Sequence, residues 1–175
     1  MRIPRGVVLG VIAMTIIVAA SNFLVQYPVN PWLTWGAFTY PVAFLVTDLT
    51  NRSLGPDRAR QVVYAGFAIA VVVSALLSTP RIAIASGLAF LVAQLLDIGI
   101  FDRMRRKGVW WAPPLVSSSV ASAVDTAIFF SVAFAGTSVP WVTLGLGDYV
   151  VKVALALVML VPFRALMNYA RPQQA

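Results

Sequence analysis

FTYPVAFLVTDLTNRSLG, residues 38–55, is an apolar run that ends by placing Asp48, Asn51 and Arg52 where a soluble core would hold none of them. The stretch is not isolated. Apolar segments recur at 6–26, 32–50, 59–79, 82–101, 115–134 and 149–169, separated by YPVNP, NRSLGPD, STPR, DRMRRKG with PP, and AGTSVPW running into GLGD. Prolines, glycines and charges at those breaks end helices or turn the chain. About 20 apolar residues rising about 1.5 Å each cross the roughly 30 Å of bilayer hydrocarbon. With 60% hydrophobic and 11% charged residues, the composition is that of an integral membrane protein. The expected fold is therefore all-α: one domain over residues 1–175, polytopic, with six transmembrane helices. The first segment follows a basic start, but its apolar run is too long for a signal peptide, so it is expected to be a retained helix.

Basic residues set the orientation. Arg2 and Arg5 precede the first segment, Arg52, Arg58 and Arg60 surround the second connection, Arg103, Arg105, Arg106 and Lys107 fill the fourth, and Arg164 and Arg171 close the chain. These are eleven of the thirteen basic residues, and they fall on alternate connections, which places both termini in the cytoplasm. The net charge of +7 then reads as topology and contact with anionic lipid, without a nucleic-acid partner. Arg81 and Lys152 are the exceptions, near the outer ends of the fourth and sixth segments. There is no cysteine and no histidine, so thiol chemistry is excluded and a transition-metal site is not expected.

All six acidic residues are aspartates: 48, 57, 97, 102, 125 and 148. Asp57 and Asp102 sit beside arginines in short connections and read as solvated charges. Asp125 lies in the middle of SSSVASAVDTAIFFSVAF, where an ionised carboxylate costs about 2.5 to 3.5 kcal/mol and is expected to face a bundle interior. Ser118, Ser122, Asp125 and Phe129 share a helical face, as do Phe90, Gln94, Asp97 and Phe101 on the fourth segment and Phe44 with Asp48 on the second. The serines alone could be interhelical packing, and Asp48 could simply pair with Arg52 four residues on. Pro41 is expected to kink the second helix. Together the depths run from Arg81 and Lys152 outside, through Asp125 at the midplane, to Asp97 and Asp48 toward the cytoplasm, a polar route suited to a transporter. GLGD at 145–148 has the form found in intramembrane aspartyl proteases, but that chemistry needs two carboxylates about 3 Å apart, and Asp148 is expected at the outer start of its helix. There is no phosphate-binding Gly-Lys-Ser/Thr loop. The chain is expected to be no enzyme and to need no cofactor.

TYPVAFLVTDLTNRSLG, PRIAIASGLAFLVAQLLDIGIFDRMRRK, SSSVASAVDTAIFFSVAFAG and DYVVKVALALVMLVP, taken as a set, resemble the queuosine precursor transporter family, also described as vitamin uptake transporters, over residues 38–163. The resemblance implies a six-helix importer of 7-cyano-7-deazaguanine or its aminomethyl relative, in the inner membrane, similar in helix count to the substrate-binding subunits of energy-coupling-factor importers. It maps shared positions onto Asp48, Arg81, Gln94, Asp97, Ser117, Ser118, Asp125 and Lys152, with Ser118 standing where relatives commonly carry Thr. The connection before Arg81 is shorter than in some relatives. A deazaguanine offers adjacent N–H donors that one carboxylate accepts together, with Asp125 the first choice. Phe44, Phe90 or Phe129 would stack on the ring, and Arg81, Lys152 or Gln94 would donate to its acceptors. The expected substrate-binding set is thus Asp125, Gln94, Asp97, Phe44, Asp48, Arg81, Lys152, Ser118, Ser122 and Phe90, with the lipid bilayer as surroundings and a homodimer left open. Two classes stay open as well. One is a self-sufficient transporter with proton coupling through Asp97 or Asp48; the other is a capture subunit serving a separate ATPase complex.

Overall fold

The computed structural model describes residues 4–24, 27–30, 33–77 and 79–169; Arg2 and Arg171, two of the orientation markers, lie outside them. Among the described residues six α-helices form: α1 (Arg5–Leu24), α2 (Gly36–Leu54), α3 (Pro56–Leu77), α4 (Pro80–Met104), α5 (Ala112–Phe134) and α6 (Trp141–Leu166). A short 3-10 turn, Arg105–Lys107, follows α4. The YPVNP break is more than a loop, since Pro28–Asn30 (β1) pairs antiparallel with Leu33–Thr34 (β2).

Helix ends follow local chemistry. Thr79 caps α4 by accepting from the Ile82 N–H, with Pro80 in the first turn where its missing donor costs nothing. Gly55 turns the chain between α2 and α3 at φ 87°, a left-handed value that a side chain disfavours. The largest departure from the expected spans is α6, which starts at Trp141 rather than at residue 149. Its early glycines are helical, and Gly145 is buried against Phe130 and Thr126 of α5. Asp148 and Lys152 consequently stand about two and three turns inside the helix, deeper than expected. α2 starts at Gly36 rather than residue 32 and continues to Leu54 rather than residue 50, so Asn51 and Arg52 are helical as well as Asp48.

α2 is the hub, touching all five other helices, while α4 and α5 form the most extensive pair and α1 packs on α2 and α3. At Gly66 of α3 a Cβ would collide with the Met14 side chain, so glycine is what lets α1 and α3 close. Met14, Val62, Val63, Ala59 and Ile98 form the dry core there. α3, α4, α5 and α6 are each long and apolar enough to cross a membrane; α2 is not among these four, and α1 is a shorter apolar helix over Arg5–Ser21. Position explains α2. Enclosed by its neighbours, it presents protein rather than lipid with Thr47, Asp48, Thr50 and Asn51, all buried. Leu9, Ile16, Leu76, Ile84, Val150 and Val161 are more than 60% exposed, an apolar exterior that fits hydrocarbon rather than water.

Candidate functional site

Two polar clusters lie on α2, about 12 Å apart by the eight residues from Tyr40 to Asp48. The first is built around Lys152 of α6. Its ammonium donates to Asp125 at 2.8 Å, pairs with Asp148 one helical turn earlier at 2.5 Å, and reaches the Thr126 hydroxyl at 3.3 Å. The other Asp125 oxygen accepts from the Tyr40 hydroxyl at 2.8 Å, and Thr126 donates to Asp148 at 2.8 Å. Tyr40 is held edgewise against Phe44 and Phe90, and its ring face lies 5.1 Å from the Lys152 nitrogen. Lys152 and Asp125 are both about 95% buried. Two carboxylates flank one ammonium and every Lys152 donor is engaged, which is the condition under which a buried ion pair holds. The same contacts dispose of the protease chemistry, because a cation rather than a shared proton stands between Asp125 and Asp148.

The second cluster is different in kind. Asp48 of α2 and Asp97 of α4 face each other closely enough for a hydrogen bond between their carboxyls, with Ser117 beside both and Ser118 beside Asp97. Ser117 points its hydroxyl at the Pro114 carbonyl, at 3.5 Å. Thr47 donates to Gln94 Oε1 at 2.6 Å, and Asn51 Nδ2 to the Ile98 carbonyl at 3.1 Å. Yet Asp48 Oδ1, both oxygens of Asp97, Gln94 Nε2 and Asn51 Oδ1 are buried without a partner. No ion pair joins Asp48 to Arg52, whose Nε is also unpartnered.

Between the clusters runs a cleft walled by Pro41, Phe44 and Asp48 of α2, Pro114, Ser118 and Ser122 of α5, and Lys152, Met159 and Phe163 of α6. In this conformation it is narrow, with room for about one water. A two-ring molecule would enter only if α6 or α5 moved off α2.

Of the ten expected site residues, Phe44, Asp48, Ser118, Ser122 and Lys152 line the cleft. Asp125 and Phe90 stand behind its Lys152 end through Tyr40, and Gln94 and Asp97 behind its Asp48 end. Arg81 is elsewhere. It is exposed and donates to the Val132 and Ala135 carbonyls at 2.8 and 2.6 Å, closing the C-terminal end of α5. Phe129 packs with Phe130 and Phe134 instead of facing the cleft. Tyr40, Thr47, Asn51, Thr126, Asp148 and Phe163 were missed as site residues. Two signals were present in the sequence: Tyr40, Phe44 and Asp48 recur every four residues, and Asp148 precedes Lys152 by four.

The family profile described as "Putative vitamin uptake transporter" matches residues 34–79 and 73–167. The chain is 34% identical to the "Probable queuosine precursor transporter" of Haemophilus influenzae, over 83% of this chain and 79% of that one. It is 33% identical to the "Queuosine precursor transporter" of Escherichia coli over 87% and 82%, and 28% identical to the "Probable queuosine precursor transporter" of Bacillus subtilis over 73% and 68%. No solved structure matches. The helical bundle has an apolar exterior, four helices long and apolar enough to cross a membrane, and charges gathered around an internal cleft, and the chain belongs to this family of membrane transporters, which are not enzymes.

Proposed function

We propose that this protein imports a queuosine precursor, 7-cyano-7-deazaguanine or 7-aminomethyl-7-deazaguanine, across the inner membrane, with all six helices spanning and both termini in the cytoplasm. The observation that carries the proposal is the lining of the cleft. An acceptor without a donor (Asp48 Oδ1), a cation (Lys152) and aromatic walls (Phe44, Phe163) meet along one narrow slot. These are the complements of a flat heterocycle with two adjacent N–H donors, a carbonyl and a π face. The names of the relatives supply the ligand class.

Asp48 takes the role first considered for Asp125. What supports the exchange is supply and demand: Asp125 is committed to Lys152 and Tyr40, whereas Asp48 has an oxygen to offer. A carboxylate accepting the ring N–H and the amino group together gives a charge-assisted, bidentate pair. Lys152 donates to the ring carbonyl by giving up its longest contact, to Thr126 at 3.3 Å. Ser118 and Ser122 complete the polar edge, and Phe44 with Phe163 brackets the ring, worth about 1 to 3 kcal/mol per stacked base. Because the cleft is closed, loading requires one wall to open toward one face of the membrane and then the other, as in alternating access around a central site.

The test is expression of the protein alone in cells unable to synthesise deazaguanines, with queuosine measured in tRNA at limiting external precursor. Restored queuosine is the expected result. A well-expressed protein that restores none would sink the self-sufficient importer.

A further inference from the structure

From the geometry of the second cluster we propose that Asp48 and Asp97 hold a single proton between them and that this proton is imported with the ligand. The inference rests on the importer proposed above and adds its coupling ion.

The unmet atoms lead to it. As two carboxylates, Asp48 and Asp97 are acceptors only, and among the described residues Asp48 Oδ1 and both oxygens of Asp97 are without a well-formed hydrogen bond, with only the Ser117 and Ser118 hydroxyls beside them. Two such groups, 2% and 0% exposed, would also place like charges side by side in a water-poor interior. One proton removes both difficulties, since it supplies an O–H donor between the carboxyls and leaves one negative charge in the cluster. A neutral, fully hydrogen-bonded site would offer nothing to bind; Gln94 Nε2, 0% exposed and also unpartnered, shows that this cluster remains open.

The surrounding charges do not neutralise the pair otherwise. α5 brings only the hydroxyls of Ser117 and Ser118. α6 brings Lys152, which is spent on Asp125 and Asp148 at the far end of the cleft. Arg52, Arg105 and Arg164 lie near one another toward the basic end of the bundle, and Arg105 is engaged by Asp102 and the Asn51 carbonyl. The charges of α1 and α3 stand at their helix starts: Arg5 is exposed, Arg58 bonds Gln61 and Arg60 pairs with Asp57.

Position then divides the labour. Asp48 lines the cleft and Asp97 does not, so the ligand's donors draw negative charge onto Asp48 and the shared proton toward Asp97. Proton and ligand favour each other's binding, and both leave when the cleft opens to the other face. Only the O–H bond is made and broken: the proton comes from water on one side and returns to water on the other.

The full-length protein in proteoliposomes, with labelled 7-cyano-7-deazaguanine as probe, tests this. A vesicle interior one pH unit more alkaline than the bath should raise accumulation about tenfold at a ratio of one proton per ligand, and a protonophore should cancel the rise. Asp97→Asn should bring the ratio of driven to undriven accumulation to about one, whatever its absolute rate. Pyranine trapped inside wild-type vesicles should report acidification on adding ligand, which needs no variant to fold. Ligand exchange with no response to the pH gradient and no pyranine signal would overturn the proton site while leaving the importer standing. No ligand exchange by folded protein would overturn the importer, and the proton site with it.

Discussion

The two polar clusters on α2 contain similar residues and have opposite balance. At Lys152 three donors meet acceptors and two carboxylates share one cation; at Asp97 two carboxylates meet with no cation between them and only serine hydroxyls beside them. The first arrangement tethers α6 to α5 and α2 through Asp125 and Tyr40. The second leaves acceptors available beside the cleft. A membrane bundle has little hydrophobic force to hold its helices together, so a satisfied ion cluster can act mainly as a joint while, in the proposed function, the unsatisfied one holds the donor edge of the ligand. Substitutions should therefore separate into losses of stability at one cluster and losses of transport at the other.

The largest effect is expected at Lys152. Lys152→Met leaves Asp125 and Asp148 as uncompensated buried charges, which costs about 3 to 5 kcal/mol when one partner of a buried pair is removed. Thermal unfolding in detergent should show a large fall, and adding Asp125→Asn to that variant should recover part of it. Equal stability of Lys152→Met and wild type would break the comparison at its first member. Asp48→Asn should do the reverse. Losing a charge-assisted pair worth about 1.5 to 3 kcal/mol lowers ligand affinity roughly ten- to a hundredfold, while the melting temperature holds or rises, because the amide brings an N–H donor to the unpartnered oxygens of Asp97 and one buried carboxyl disappears. A melting temperature that fell as far as that of Lys152→Met would place Asp48 in the joint rather than the site.

Tyr40→Phe probes the seam between the clusters. The ring packing on Phe44 and Phe90 is retained and only the hydrogen bond to Asp125 is lost. One bond to a charged group predicts about 1.5 to 3 kcal/mol of stability, with a smaller effect on uptake than that of Asp48→Asn. If uptake fell further than stability, Tyr40 would belong to the ligand site.

Much of this was legible in the sequence because bilayer and helix impose simple periods. Six apolar segments gave six helices, and the spacings of four and three put Gln94 beside Asp97 and Ser118 beside Ser122 on inward faces. What could not be read was depth and partnership. Glycines at 145 and 147 resemble a break, so α6 appeared to start too late and Lys152 too near the surface. Helix spacing places residues on one face of one helix, but the meeting of Lys152 with Asp125, 27 positions apart, and of Asp48 with Asp97 depends on how four helices pack. Arg81 shows the limit most plainly: an off-rule arginine invites a ligand role, and its actual partners are two backbone carbonyls that no side-chain pattern announces.

The smallest effect is expected outside both clusters, at Asp57. Its carboxylate meets Arg60 at 2.7 Å, but the Asp57 side chain is 86% exposed. An exposed ion pair gains little because water and salt screen it and two long side chains must be held in place. Asp57→Asn should leave both melting temperature and uptake within measurement scatter. The three aspartate changes Asp48→Asn, Asp125→Asn and Asp57→Asn remove the same charge, so composition alone would predict one outcome for all. Distinct outcomes are expected because Asp48 offers an oxygen, Asp125 has given both of its oxygens away, and Asp57 stands in solvent. A common loss of uptake in all three would mean that net charge, rather than the partners of each carboxylate, governs transport.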